Sequence, residues 1–202
     1  MLLIYLVIIY LSLYFVIWQH EVGHALVMHY YKCKERPFKV RVPFYIFFST
    51  PMPYDINKVQ TLERRQRHHI GMAGIGVNII FGIPTAGLLL LADIEPSLFS
   101  FFLFAFAIFH LTEAVSYLMI NNIFLSGDML DVQQYQPWLR IPYFGIGVLV
   151  FAVIVFLLLE CPPVWRLLFV TSFVVMMICT TIGRLLFKRI IQLRLLKEKS
   201  LP

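Results

Sequence analysis

Charge is scarce in this chain. Only 14% of its 202 residues are Asp, Glu, Lys or Arg, while 60% are hydrophobic and the mean hydropathy is +0.80. A soluble domain of this size has no use for so much apolar surface, which is the composition of membrane helices. Cysteine is equally sparse. Cys33, Cys161 and Cys179 are far apart and odd in number, which excludes a disulfide framework and a CxxC metal site. No internal repeat or low-complexity stretch occurs. The first apolar run lacks a basic leading segment and a small-residue cleavage site, so it is expected to remain as a membrane helix rather than be removed as a signal peptide.

What is present is a series of long apolar runs. Five spans are expected, near residues 2–31, 71–92, 98–121, 141–159 and 164–187. Each has roughly 20 or more mostly apolar residues, enough to cross about 30 Å of hydrocarbon. The expected fold is therefore an all-α integral membrane protein forming one domain over residues 1–202. Residues 1–140 would hold a three-helix core, and 141–202 two accessory spans with almost no ionisable residues, plus a basic tail. The positive charges are distributed unevenly. Nine of the 17 Lys and Arg residues fall in Lys32–Ile70 and six more lie from Arg184 through Lys199, whereas the loops Asp93–Glu95 and Glu160–Pro163 are acidic. With five spans the basic segments share one face, which should be cytoplasmic, with the N-terminus outside and the cell (plasma) membrane as the expected location. The net charge of +6 then needs no nucleic acid, and the run Arg64–His69 reads as an anchor at the membrane surface.

The segment Lys32–Ile70 is too long for a simple connector. Within it Phe38, Val40, Val42 and Phe44 alternate with Lys39, Arg41 and Pro43, a period-two pattern that fits a short interfacial β-hairpin over residues 37–50. Pro43, Pro51 and Pro53 would confine it to an edge, where an extended peptide could add as a further strand. The tail "KRIIQLRLLKEKS" mixes aliphatic and basic residues and is expected to continue the last helix onto the inner surface.

The anomaly lies in the first span, where "HEVGH" places His20, Glu21 and His24 among apolar residues. Two histidines four apart project from one face of a helix, a turn from each other. That spacing lets two ring nitrogens reach one zinc ion at about 2.0–2.1 Å, and the intervening glutamate can take a proton from a water held by the metal. An ionisable residue near a bilayer centre costs on the order of 3 kcal/mol on insertion scales, so such residues are functional by default. A chance HExxH would occur in well under about 1% of shuffled sequences of this composition. The other reading is a set of hydrogen-bonded residues that link helices.

Two further stripes face inward. Gly71, Gly74, Asn78 and Gly82 share one face of the second span, and His110, Glu113, Tyr117 and Asn121 repeat the same offsets on the third. Small residues let helices approach closely, and Asn78 offers an amide within the bundle. A catalytic zinc needs a third protein ligand. Glu113 lies at a depth comparable to His20 and can supply it, or can pair with His110. His29, His68 and His69 are expected at the surface.

In these features the chain resembles the site-2 protease family of intramembrane zinc metalloproteases. "HEVGH" matches the first motif of that family. "AGIGVN" (Ala73–Asn78) matches the second except that Ile75 replaces a proline. "NNIFLSGD" (Asn121–Asp128) stands for the third, with Phe124 in place of a proline, a shorter spacing, and Gly127–Asp128 in reversed order. The resemblance covers roughly Trp18 to Asp131 and implies one zinc ion per chain on His20, His24 and Asp128, with Asp131 as the nearby fallback. It further implies Glu21 as the catalytic base, and Asn78, Asn121 or Asn122 as groups that hold substrate or the oxyanion. The expected activity is hydrolysis of peptide bonds in membrane-embedded or membrane-associated substrates. The alternatives are a non-proteolytic protein that keeps the scaffold for peptide binding, export or regulation, and a transporter with a proton relay.

Overall fold

The computed structural model describes residues 1–46, 49–92 and 95–199, with residues 184–199 as backbone only. It is all-α. Helix α1 spans Leu2–Tyr30, α2 Ile56–Thr61 and α3 Arg64–Leu91. Helix α4, Leu98–Val115, runs without a break into a π-helical segment, Ser116–Asn121, and the single turn α5, Asn122–Phe124. Helix α6 covers Met129–Tyr135, α7 Arg140–Glu160 and α8 Pro163–Lys199. Five helical stretches among the described residues are long and apolar enough to cross a membrane: Leu2–Tyr30, Arg64–Leu91, Leu98–Phe124, Pro137–Glu160 and Pro163–Gly183. The chain is accordingly a multi-pass protein of a lipid bilayer.

The third span is the centre of the bundle. In its most apolar window 78% of residues are buried, against 11–33% in the other four, so lipid-facing surface belongs to the outer helices. α1, α3, α7 and α8 all pack against α4. Glycines set the closest approaches. A methyl at Gly23 would stand 2.8 Å from the Ala73 carbonyl, one at Gly82 2.6 Å from Leu111, and one at Gly147 2.7 Å from Met119. At the end of the bundle away from Tyr30, Tyr5, Phe101, Trp165 and Phe169 stack into a cluster that ties α1, α4 and α8 together.

Helix α3 starts seven residues before the expected span. The Glu63 N–H donates to Gln66 Oε1 at 3.0 Å, and this turn starts the helix inside the basic run. The extra turns carry His68 onto the face of Gly71, Ile75 and Asn78, and it is buried, contrary to the surface position expected of it. Its Nε2 meets Tyr143 Oη at 3.1 Å and ties α3 to α7. His29 and His69 are exposed, as expected.

The alternating segment forms no strand among its described residues. A single antiparallel bridge joins Arg41 and Thr50, with both N···O distances 3.0 Å, and Pro43, two residues on, lacks the donor that the next hydrogen-bonded pair would need. Nor does the segment stay beside the end of α1. Tyr14 Oη donates to the Val42 carbonyl at 3.2 Å and Tyr10 Oη to the Phe44 carbonyl at 2.7 Å. Those tyrosines lie about 24 and 30 Å from the Tyr30 end at 1.5 Å per residue. Non-helical backbone at such depth must have its polar groups satisfied, and the two tyrosines do that. The root of the loop is held by Lys34. Its buried Nζ donates to the carbonyls of Lys39, Pro51 and Pro53 at 2.7–2.8 Å, and burial, then the charge of Lys39, pushes its ammonium below the ordinary lysine range. Of the acidic loop expected at Asp93–Glu95, Asp93 lies outside the described residues, as do Phe47 and Phe48 of the expected hairpin and Ser200 of the basic tail.

Candidate metal centre

His20 and His24 are one turn apart on α1, both buried, with their Nε2 atoms 3.0 Å from each other. Asp128 reaches them from the far end of the third span. After Phe124 the helix stops where Leu125 and Gly127 take left-handed conformations (φ 50° and 56°), and Asp128 opens α6. Its Oδ2 lies 3.3 Å from His24 Nε2 and 3.9 Å from His20 Nε2. Gly71 makes room for this turn, since a methyl there would stand 3.1 Å from the Asp128 carbonyl oxygen. His20, His24 and Asp128 are the one set of three His, Cys, Asp or Glu residues, among those described, whose ligand atoms all lie within 4.8 Å of one another.

The set fits a metal ion on three observations. Two ligands of a tetrahedral ion about 2.1 Å away stand about 3.4 Å apart, close to the 3.0, 3.3 and 3.9 Å separations seen here. His24 Nδ1 donates to the Ile70 carbonyl at 2.7 Å, so in the neutral ring Nε2 carries the lone pair and faces the Asp128 carboxylate, where a cation would sit between them. The space beside them is kept open by Gly74. A Cβ at that position would be 2.5 Å from His24 Nε2 and 2.8 Å from His20 Nε2.

The centre opens into a cavity of about 310 Å³ whose walls include Glu21, His24, Tyr117, Asp128 and Asp131, together with Arg67 of α3 and Ser49, Pro51 and Tyr54 of the loop. Glu21 is buried, and its Oε2 has no hydrogen-bond partner. Tyr117 stacks on His20 with ring centroids 4.8 Å apart. Asp131, the expected fallback ligand, lines the cavity but is outside the triad. Burial, then the charge of Asp128, pushes its carboxyl above the usual range, against opposing effects of Arg67 and His24. Glu113 is buried on α4 and is also outside the triad.

The three asparagines separate. Asn78 is engaged beneath the ligands, with Nδ2 2.9 Å from His20 Nδ1 and Oδ1 3.0 Å from His110 Nδ1. Asn122 is committed to Arg140, whose Nε and Nη2 donate to Asn122 Oδ1 and its carbonyl while Asn122 Nδ2 donates to the Arg140 carbonyl. That lock joins the end of the third span to α7. Asn121 accepts from Ser126 Oγ at 3.0 Å, and its Nδ2 is buried without a partner beside Gly127. The sequence reading missed Ile70, whose carbonyl no side-chain pattern reveals, and Gln19, whose Oε1 meets His110 Nε2 at 3.0 Å. It also misplaced His68, although three residues upstream of Gly71 puts it on the same stripe.

Compared with protein families, with curated proteins and with solved structures, the chain matches none.

Proposed function

We propose that this protein is an intramembrane zinc metalloendopeptidase. One observation carries the reading: two histidines of an HExxH turn and an aspartate 104 positions further on converge with ligand atoms 3.0–3.9 Å apart, beside a buried glutamate in a cavity. Three ligands with a fourth position open are the pattern of catalytic zinc sites. A zinc ion bound there would polarise a scissile carbonyl and lower the pKa of its water to near 7.

The residues of the chain supply the rest. His20, His24 and Asp128 hold the ion. Glu21 accepts the proton of the attacking water at Oε2 and hands it to the leaving amine. The Nδ2 of Asn121 is the remaining asparagine donor for a developing oxyanion. A substrate enters as extended chain, since a helix keeps its carbonyls engaged in its own hydrogen bonds, and the loop through Ser49 and Pro51 forms a wall along which it lies. The distribution of Lys and Arg supports a cytoplasmic position for this end of the bundle.

Zinc content and cleavage test the reading together. The purified protein should carry about one zinc ion per chain, lost in His20→Ala, His24→Ala and Asp128→Ala and kept in Glu113→Ala. Glu21→Gln should keep the zinc and lose about 10²–10⁴-fold in cleavage of single-span membrane peptides, read by mass spectrometry. Cleavage unchanged by Glu21→Gln would overturn the assignment. Loss of zinc in Glu113→Ala but not Asp128→Ala would transfer the third ligand. Bound zinc without cleavage would favour the non-proteolytic scaffold.

A further inference from the structure

Beneath the metal ligands runs a chain of three polar side chains, Asn78, His110 and Gln19, from three different helical positions. His20 Nδ1 meets Asn78 Nδ2 at 2.9 Å, Asn78 Oδ1 meets His110 Nδ1 at 3.0 Å, and His110 Nε2 meets Gln19 Oε1 at 3.0 Å. Asn78 and His110 are fully buried. Phe81 and Phe106 pack on the His110 ring and leave it no other polar neighbour on those faces.

The two ligand histidines differ in what fixes them. His24 Nδ1 faces a backbone carbonyl, which only accepts, so its tautomer is set. His20 Nδ1 faces a carboxamide, which donates from one end and accepts at the other. A neutral His110 carries one N–H but meets an oxygen at each nitrogen, Asn78 Oδ1 and Gln19 Oε1. One carboxamide must therefore turn over, an assignment that heavy-atom positions leave open. If Gln19 turns, Asn78 donates to His20 Nδ1, and the His20 proton sits on Nε2, pointing at His24 Nε2. If Asn78 turns, His20 Nδ1–H donates to the Asn78 oxygen, the amide donates to His110 Nδ1, and His110 Nε2–H donates to Gln19. Only the second arrangement leaves His20 Nε2 bare for a metal.

We propose that His110 is a positioning residue whose tautomer is coupled through Asn78 to that of His20, with its proton on Nδ1 in the metal-free protein and on Nε2 in the metal-loaded one. The inference rests on the metal reading of the triad. Every imidazole keeps one proton in both arrangements, only the carboxamides turn, and the charge of the chain is unchanged. Outer partners of this kind typically account for 10–100-fold of metal affinity.

The test uses the full-length protein in detergent with 15N-labelled histidine, stripped with a chelator and then loaded with Zn²⁺, with zinc content measured on the same sample. Ring 15N shifts distinguish a protonated from a bare nitrogen, and the His110 signals are assigned by their loss in His110→Phe. The His110 proton should move from Nδ1 to Nε2 on loading. Gln19→Glu, with its ionised carboxylate an acceptor only, should hold His110 in the Nε2–H form with and without zinc. His110→Phe should weaken zinc by about tenfold in chelator competition. A His110 tautomer that stays the same while zinc binds would overturn this inference alone. A sample that takes up no zinc would overturn the metal reading and this inference with it.

Discussion

At the scale of single residues the site is defined as much by a missing side chain as by those present. Gly74 faces both ligand nitrogens at distances that no Cβ can occupy. With the close approach at Gly23 holding α3 against α1, relief falls on the two imidazoles, which must leave their positions. Gly74→Ala should therefore fold with an unchanged helical spectrum while its zinc affinity, measured by chelator competition, falls by about 10–100-fold, the range of disturbed ligand geometry. Wild-type affinity in that variant would show that the ligands do not use the space over Gly74. Gly71 has a different task, since its nearest neighbour is the backbone of Asp128 rather than a ring nitrogen.

At the scale of elements, two non-α pieces build the site. The π-helical turn at Ser116–Asn121 adds residues to a turn of the third span just before the chain leaves the helix, as π-bulges often do at functional sites. It carries Tyr117 against His20 and brings Asn121 to the Gly127 turn. The other piece is the loop gathered around Lys34. Removing its ammonium would leave three carbonyls without their donor, a cost of about 3 kcal/mol for a buried charged hydrogen-bonding group. Lys34→Met should speed tryptic cleavage after Lys39 and Arg41 while zinc content stays unchanged, because none of the candidate ligands lies on that loop. Unaltered proteolysis would show that Tyr10 and Tyr14 hold the loop without help from Lys34.

For the whole molecule, topology decides whether the ligands can meet. α1 ends and α3 begins at the same end of the bundle, where Tyr31 Oη and His69 Nδ1 are 2.7 Å apart, and the third span returns to that end with Asp128. If the charge distribution sets the orientation as proposed, that end is cytoplasmic. In a Cys179→Ala background, where Cys33 and Cys161 remain buried, an impermeant maleimide should label Glu95→Cys on intact cells and Glu35→Cys only after lysis. Both glutamates are exposed, so the reverse pattern would invert the topology.

The sequence by itself determined the all-α membrane architecture and two-thirds of the triad, because long apolar runs and a four-residue spacing are local properties. The five spans lie where hydropathy places them, and the one large shift in a boundary, at Arg64, comes from a capping turn within a charged run that hydropathy counts as outside. The candidate third ligand, Asp128, was legible only through a resemblance, since nothing local relates position 128 to position 24. The tertiary structure decided the rest. It separated Asp128 from Glu113 and Asp131, drew Asn122 to Arg140, sank His68 into the bundle, and laid the 37–50 segment along α1 instead of at its end. It also assembled Gln19, His110 and Asn78 behind His20. Each of these depends on which helix faces meet, and that is fixed by close packing at Gly23, Gly71, Gly74 and Gly82, where the absence of a side chain matters only once a neighbour is in place.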